Sequence, residues 1–290
     1  MRQTQAMKHA PVRLAIVAVL AISLALVPGG RHVATAADSA GLIGPKPYYL
    51  ALGDSLAFGI QPTLNSHAGY VDDFFANLQP HGVQTVANLG CNGETTITFI
   101  NGGCKYATVF PPHYHYAGSQ LAAALDFIRS HPGQVSPVTI DVGADDFNID
   151  PQTCVVSAMT QTLQTFEVNY RSILGQLKAA LKDANGNDTG DLVTMTYYFP
   201  YQNTCPALTP LFSLFNADLA SIARQSGVLV APVYATFGGP TTPNPNLCSL
   251  TWVCQTNTFI TCKVSAILCI HPNTLGYRLM AATVEYTTGY

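Results

Sequence analysis

Two residue types far apart in this chain could do chemistry together, a serine and a histidine. Ser55 follows the run Tyr48-Tyr49-Leu50-Ala51-Leu52-Gly53-Asp54, and the stretch continues Leu56-Ala57-Phe58-Gly59. A short apolar run closed by a turn signal reads as a buried strand. In open α/β sheets, sites lie beyond the carboxyl ends of strands, and Ser55 falls there. A serine hydroxyl is a weak nucleophile and needs a base within hydrogen-bond reach. His271, in Ile270-His271-Pro272-Asn273, is the candidate base, because such pairs are defined by geometry rather than chain order. Gly-Asp-Ser is also a common strand-exit turn, with Asp and Ser bonding to nearby backbone. The case for chemistry therefore rests on what accompanies it.

Two further blocks end strands of their own, Asn88-Leu89-Gly90-Cys91-Asn92-Gly93-Glu94-Thr95 and Val142-Gly143-Ala144-Asp145-Asp146. In this order the blocks resemble the GDSL or SGNH hydrolase family of esterases and lipases, from roughly Tyr48 to the C-terminus. The resemblance implies a flavodoxin-like fold, a three-layer α/β/α sandwich around a central, about five-stranded parallel sheet. It implies an ester hydrolase that works through an acyl-enzyme on Ser55 with His271 as base, and no metal or organic cofactor. Three oxyanion donors are implied as well: the Ser55 N–H, the Gly90 N–H and an Asn side chain in Gly-x-Asn-Asp.

The third of these positions holds Asp145. An ionised carboxylate would repel the oxyanion, whereas a protonated one would donate, and an apolar site beside Asp146 would favour protonation. Asn148 is the alternative donor. A second departure concerns the residue that orients His271. The family usually places an Asp two or three residues before the histidine, where this chain has Cys269 and Leu268. A backbone carbonyl, from the Asn257–Ala266 loop, is the expected substitute, since the orienter's task is to fix tautomer and direction. Two alternatives stay open. One is a non-catalytic or weakly active binding protein of the same fold, and the other an acyltransferase using the same intermediate.

The elements that must position these residues alternate along the chain. Strands are expected at 48–54, 84–90, 138–143, 192–199 and 228–233. Helical patterns cover 69–78, 118–130, 154–184, 208–226 and 272–286. Such alternation implies a parallel sheet covered on both faces. Pro272 is expected to open the last helix and so hold His271 in the loop before it. Asp141, inside the third strand, is expected to face a helix terminus or a partner, because a lone buried carboxylate is costly. The aromatic residues Phe58, Tyr106, Phe110, Tyr114, Tyr198, Tyr201 and Trp252 fall near strand ends and loops. They either line a cleft or pack the core. His113 and His115 flank Tyr114 in a Pro-rich loop, a weak pattern for a site or a metal.

Composition bounds the rest. Hydrophobic residues make up 48% and charged ones 10% of 290 residues, so a sizeable core is available and a monomer is expected. Arg2, Lys8 and Arg13 precede the apolar run Leu14 to Val27, and Ala34-Thr35-Ala36 follows. This is the pattern of a secretory signal peptide cleaved after Ala36, leaving one domain over 37–290 and no membrane anchor. The first 36 residues hold four of the 13 Lys and Arg and none of the 16 Asp and Glu. The remainder is net −7, without the basic footprint that nucleic acid or anionic lipid requires. An exported chain with eight cysteines reads as disulfide-bonded. Local pairs Cys91–Cys104 and Cys154–Cys205 are expected, with 248, 254, 262 and 269 paired in sequence or interleaved. No tight C-x-x-C pair supports zinc. The expected protein is thus secreted and acts on a small-molecule, lipid or sugar ester.

Overall fold

Five strands form one parallel sheet in the computed structural model, which describes residues 41–255 and 266–290. The segment read as a signal peptide, Cys262 and most of the loop expected to supply the histidine's carbonyl lie outside the described residues. The strands are β1 (Tyr48–Gly53), β2 (Thr85–Asn88), β3 (Val135–Asp141), β4 (Leu192–Met195) and β5 (Leu229–Ala231), in spatial order β2-β1-β3-β4-β5. All four pairings are parallel. Every residue of β3 is buried, and so is β1 beyond Tyr48. Central strands covered on both faces have this near-continuous apolar reading.

Nine helices are introduced along the described chain: α1 (Ser55–Phe58), α2 (Tyr70–Leu78), α3 (Thr96–Asn101), α4 (Gln120–Ser130), α5 (Met159–Ala180), α6 (Thr209–Gln225), α7 (Val233–Thr236), α8 (Asn246–Leu250) and α9 (Thr274–Thr288). Helix α9 packs with α2, α7 and α8, while α5 packs with α4, α6 and α3. The result is the expected α/β/α fold. It adds elements that periodicity alone does not signal: α1, α3, α7, α8 and a two-residue ladder pairing Ile149–Asp150 with Val155–Val156. All are too short for an apolar period to register.

Strand order fixes where a site can form. The order reverses at β1, whose neighbours are β2 on one side and β3 on the other. Connections from β1 and β3 leave toward opposite faces and open a crevice beyond the strand ends. Beneath that crevice Phe166, Tyr170, Phe215 and Phe147 form an aromatic cluster with ring centroids 4.9 to 5.1 Å apart. Phe166 and Phe215 are wholly buried, so truncating either should cost about 3–5 kcal/mol. A Cβ on Gly143 would meet the Phe166 ring at 2.5 Å, and its φ is +128°. Only glycine lets the β3 exit turn rest on that ring.

Three disulfides are described, Cys91–Cys104, Cys154–Cys205 and Cys248–Cys254. Cys269 is also disulfide-bonded, and its expected partner Cys262 lies outside the described residues. Among the described residues no helix is long and apolar enough to cross a membrane.

Candidate active site

The end of β1 is shaped by Gly53 and Asp54. Gly53 has φ +142°, and a Cβ there would lie 2.1 Å from Asp141 Oδ1. Its main chain is gripped on both sides by one side chain: Gly53 N–H donates to Gln120 Oε1 at 2.6 Å, and Gln120 Nε2 donates to Gly53 O at 3.0 Å. Asp54 then caps α1, its Oδ1 accepting from Leu56 N at 2.9 Å. A short side-chain acceptor at this position satisfies an orphan helix donor. Ser55 is therefore the first helical residue after a strand, on a turn with little freedom.

His271 arrives from the other end of the chain. Asn273 caps α9, with Oδ1 accepting from Gly276 N at 3.0 Å. The helix starts at Thr274 rather than at Pro272, because Asn supplies an acceptor that Pro lacks. Trp252 N–H donates to His271 O at 3.0 Å, and Tyr198 O–H donates to Ile270 O at 2.6 Å. The loop is thus tied to β4's extension and to the end of α8. His271 Nε2 stands 2.7 Å from Ser55 Oγ, and Nδ1 stands 3.2 Å from Leu268 O. With Nδ1–H donating to the Leu268 carbonyl, Nε2 is left as acceptor for the serine hydroxyl. The substitute orienter is a main-chain oxygen, as expected, but it comes from Leu268, just beyond the loop expected to supply it.

Two cavities meet at this pair. The larger, about 420 Å³, is bordered by Asp54, Ser55, Lys105, Tyr106, Asp145, Asn148, the aromatic residues Tyr197, Tyr198 and Tyr201, and His271. The smaller, about 220 Å³, is bordered by Ser55, Ile60, Asn92, Gly93, Phe110, Leu268, Ile270 and His271. Gly93, Tyr106, Asp145 and Ile270 border both. Of the aromatic residues singled out in the sequence, Tyr106, Phe110, Tyr198 and Tyr201 line these spaces, while Phe58, Tyr114 and Trp252 do not.

Gly90 is placed elsewhere. Its N–H donates to Asn88 Oδ1 at 2.9 Å, and a Cβ there would meet Phe58 N at 2.6 Å. Asn88 Nδ2 also donates to Ala57 O at 2.7 Å. Gly90 thus lets the second block pass close under α1, and its donor is already used within the fold. Gly93, three residues on, is the glycine beside the serine. Asn92-Gly93 is a turn-prone pair, the one sequence signal that could have drawn attention to it.

Acidic groups crowd the base of the site. Asp145 is exposed to the cavity's solvent, with other acidic groups crowded behind it. Loss of bulk solvation raises its pKa well above the carboxylate range, and the charges of Asp54 and Asp146 add to this against Lys105. Burial likewise raises Asp54, beside the charge of Asp141. Asp141 is lifted to about 7 by burial, opposed by Tyr70 O–H at 2.7 Å and the N–H groups of Asp54 and Ala57 at 3.0 and 3.3 Å. The expectation that Asp141 faces a helix terminus or a partner is met twice over, by the start of α1 and by Tyr70. Glu94, 1% exposed, is lifted to about 7 by burial, while Thr98 and Gln120 pull it down. Its Oε2 accepts from Gln120 Nε2 at 3.0 Å, so it steadies the Gly53 grip. Tyr197 O–H donates to Asp54 Oδ2 at 2.9 Å. Gln120, Glu94 and Tyr197 carried no motif signal of their own. His113 stacks on Phe58, with ring centroids 4.7 Å apart, outside both cavities.

Residues 51–279 match the model of the GDSL-like lipase/acylhydrolase family. No curated protein matches. Among solved structures, an acetylxylan esterase from Geobacillus stearothermophilus is 17% identical with a TM-score of 0.52, over 86% of this chain and 96% of its own. A protein described as a GDSL-like lipase from Parabacteroides merdae ATCC 43184 is 15% identical with a TM-score of 0.52, over 85% and 97%. A catalytic mutant of the same Geobacillus esterase, with an aspartate replaced by alanine, is similar at 17% identity and a TM-score of 0.53, over 85% and 96%.

Proposed function

Because the chain belongs to the GDSL-like lipase and acylhydrolase family, we propose that it is a secreted serine hydrolase of carboxylic esters, forming an acyl-enzyme on Ser55. The observation that carries this reading is the 2.7 Å contact between Ser55 Oγ and His271 Nε2, which lies within the reach a general base needs. Ser55 Oγ attacks the acyl carbon as His271 Nε2 takes its proton. The imidazolium, held by the Leu268 carbonyl, returns that proton to the departing alkoxide. Water, activated by the same nitrogen, then cleaves the acyl-enzyme.

The oxyanion needs donors preorganised where charge develops. The Ser55 N–H at the start of α1 is one. Gly93, bordering both cavities beside Ser55, offers its N–H in place of the Gly90 donor that Asn88 occupies. Asp145 in its protonated form is the third. A related esterase has a catalytic aspartate. Here Leu268 contributes a carbonyl instead, which fixes tautomer and direction but adds no charge beside the imidazolium. A non-catalytic binder is less well supported, because folding alone does not require a serine hydroxyl and an imidazole to meet in a solvent-filled cavity.

Three disulfides and a signal-like N-terminal sequence support secretion. The test of activity is initial-rate hydrolysis of p-nitrophenyl esters by the wild type, Ser55→Ala and His271→Ala. Both variants should lose about 10³-fold or more in kcat. Equal rates in all three proteins would overturn the proposal.

A further inference from the structure

We propose that the two cavities divide the ester between them. The smaller lobe takes an acyl chain of about four to eight carbons, and the wider lobe takes the alcohol. This rests on the hydrolase reading above and names the substrate class for the same site. Ser55 and His271 border both lobes, so a carbonyl carbon over Oγ would extend its chain into one and its leaving oxygen into the other. The walls differ in chemistry. Among the described residues, and away from the shared ones, the smaller lobe is bounded by Ile60, Phe110 and Leu268, together with Asn92. The wider lobe adds Lys105, Asn148 and tyrosines to apolar side chains such as Leu56, Phe147, Ile149 and Phe212. An apolar wall gains from displacing water with hydrocarbon and loses nothing to unpaired polar groups. A larger wall that mixes apolar and polar side chains suits a bulkier alcohol carrying hydroxyl groups.

Size narrows the acyl group. At roughly 30 Å³ for a group the size of a water, a lobe of about 220 Å³ holds about seven such groups. An acetyl group would leave most of the apolar wall wet. Each buried methylene should raise kcat/KM about fourfold until the lobe is full. In the acyl transfer, the Ser55 Oγ–acyl bond forms and the acyl–alcohol bond breaks. The serine proton passes through His271 to the leaving alcohol, and water reverses these steps to release the free acid.

The experiment measures kcat/KM of the disulfide-intact protein on p-nitrophenyl acetate, butyrate, hexanoate, octanoate and dodecanoate, with Ser55→Ala as blank. The expected result is a rise of at least tenfold from acetate to hexanoate and a fall by dodecanoate. Phe110→Trp, which fills the smaller lobe, should lower the hexanoate-to-acetate ratio about tenfold. Leu268→Phe, whose carbonyl is retained, provides the same readout if the first variant folds poorly. Serine-dependent turnover that is fastest on acetate, or an unchanged ratio in a folded variant, would overturn the division of lobes and leave the hydrolase reading standing. Absence of Ser55-dependent turnover on every ester would overturn both.

Discussion

If Asp145 donates to the oxyanion as proposed, replacing it by Asn should extend activity to pH values above the folded-state pKa of Asp145. Asp145 lies in a turn seated on Phe166, in a cavity shared with Ser55 and His271. Although it meets the cavity's solvent, desolvation by the protein behind it and the charges of Asp54 and Asp146 push its pKa up. In the proposed mechanism the protonated carboxyl would donate to the oxyanion, and the ionised one would oppose the same charge. One such donor is worth about 10²–10³ in kcat. One pH unit above the group's folded-state pKa, only about a tenth of the molecules keep the proton. Wild-type kcat should therefore fall about tenfold per unit above that pKa until it meets a floor set by the main-chain donors. The Asn amide donates at every pH, so Asp145→Asn should match the wild type in acid and exceed it by about 10²-fold or more at the alkaline end. Asp145→Ala should sit on the floor throughout. Initial rates on p-nitrophenyl butyrate, followed by acid release in a pH-stat, separate the profiles from the titration of the chromophore. Parallel profiles for wild type and Asp145→Asn would refute the assignment of Asp145 as a donor.

Glu94 should make stability fall with pH. Its carboxyl is lifted from 4.5 to about 7, so between these values the folded protein keeps a proton that the unfolded chain releases. Its contribution is intact below about 4.5 and declines by about 3 kcal/mol as pH rises through 7. Glu94→Gln should remove that slope when urea unfolding is compared at pH 4.5 and 7.5, and equal slopes would count against it. Gly53→Ala places a methyl 2.1 Å from a buried carboxylate oxygen at a φ of +142°. It should cost at least ~3 kcal/mol and abolish activity, read as a lowered Tm with loss of turnover; a wild-type Tm would show that the turn tolerates a side chain. Replacing both Cys91 and Cys104 with Ser frees a loop of 13 residues' separation. This should lower stability by about 3 kcal/mol in the same denaturant assay, and no change would mean the loop is held by its packing alone.

The order of strands and helices, the position of Ser55 at a strand end, and two of the local cysteine pairs were all legible in the sequence. Each is a local matter. Apolar period reports which face of an element is buried, Gly-Asp-Ser reports a turn, and short loops favour near pairs. The class of the histidine's partner could also be inferred, because no carboxylate sits two or three residues before it. What no local pattern carries is how groups converge. Ser55 and His271 meet across 216 residues, and Gly53 is gripped by Gln120 from 67 residues away. Whether Gly90 or Gly93 turns toward the serine depends on Asn88, whose side chain takes the Gly90 N–H once the second block packs beneath α1. Likewise the two lobes exist only because loops after β1, β2, β3 and β4 and before α9 close around one point. Sequence period constrains each element's own face and ends; the direction of a single N–H or the volume between loops is set by packing, and only the tertiary structure decides it.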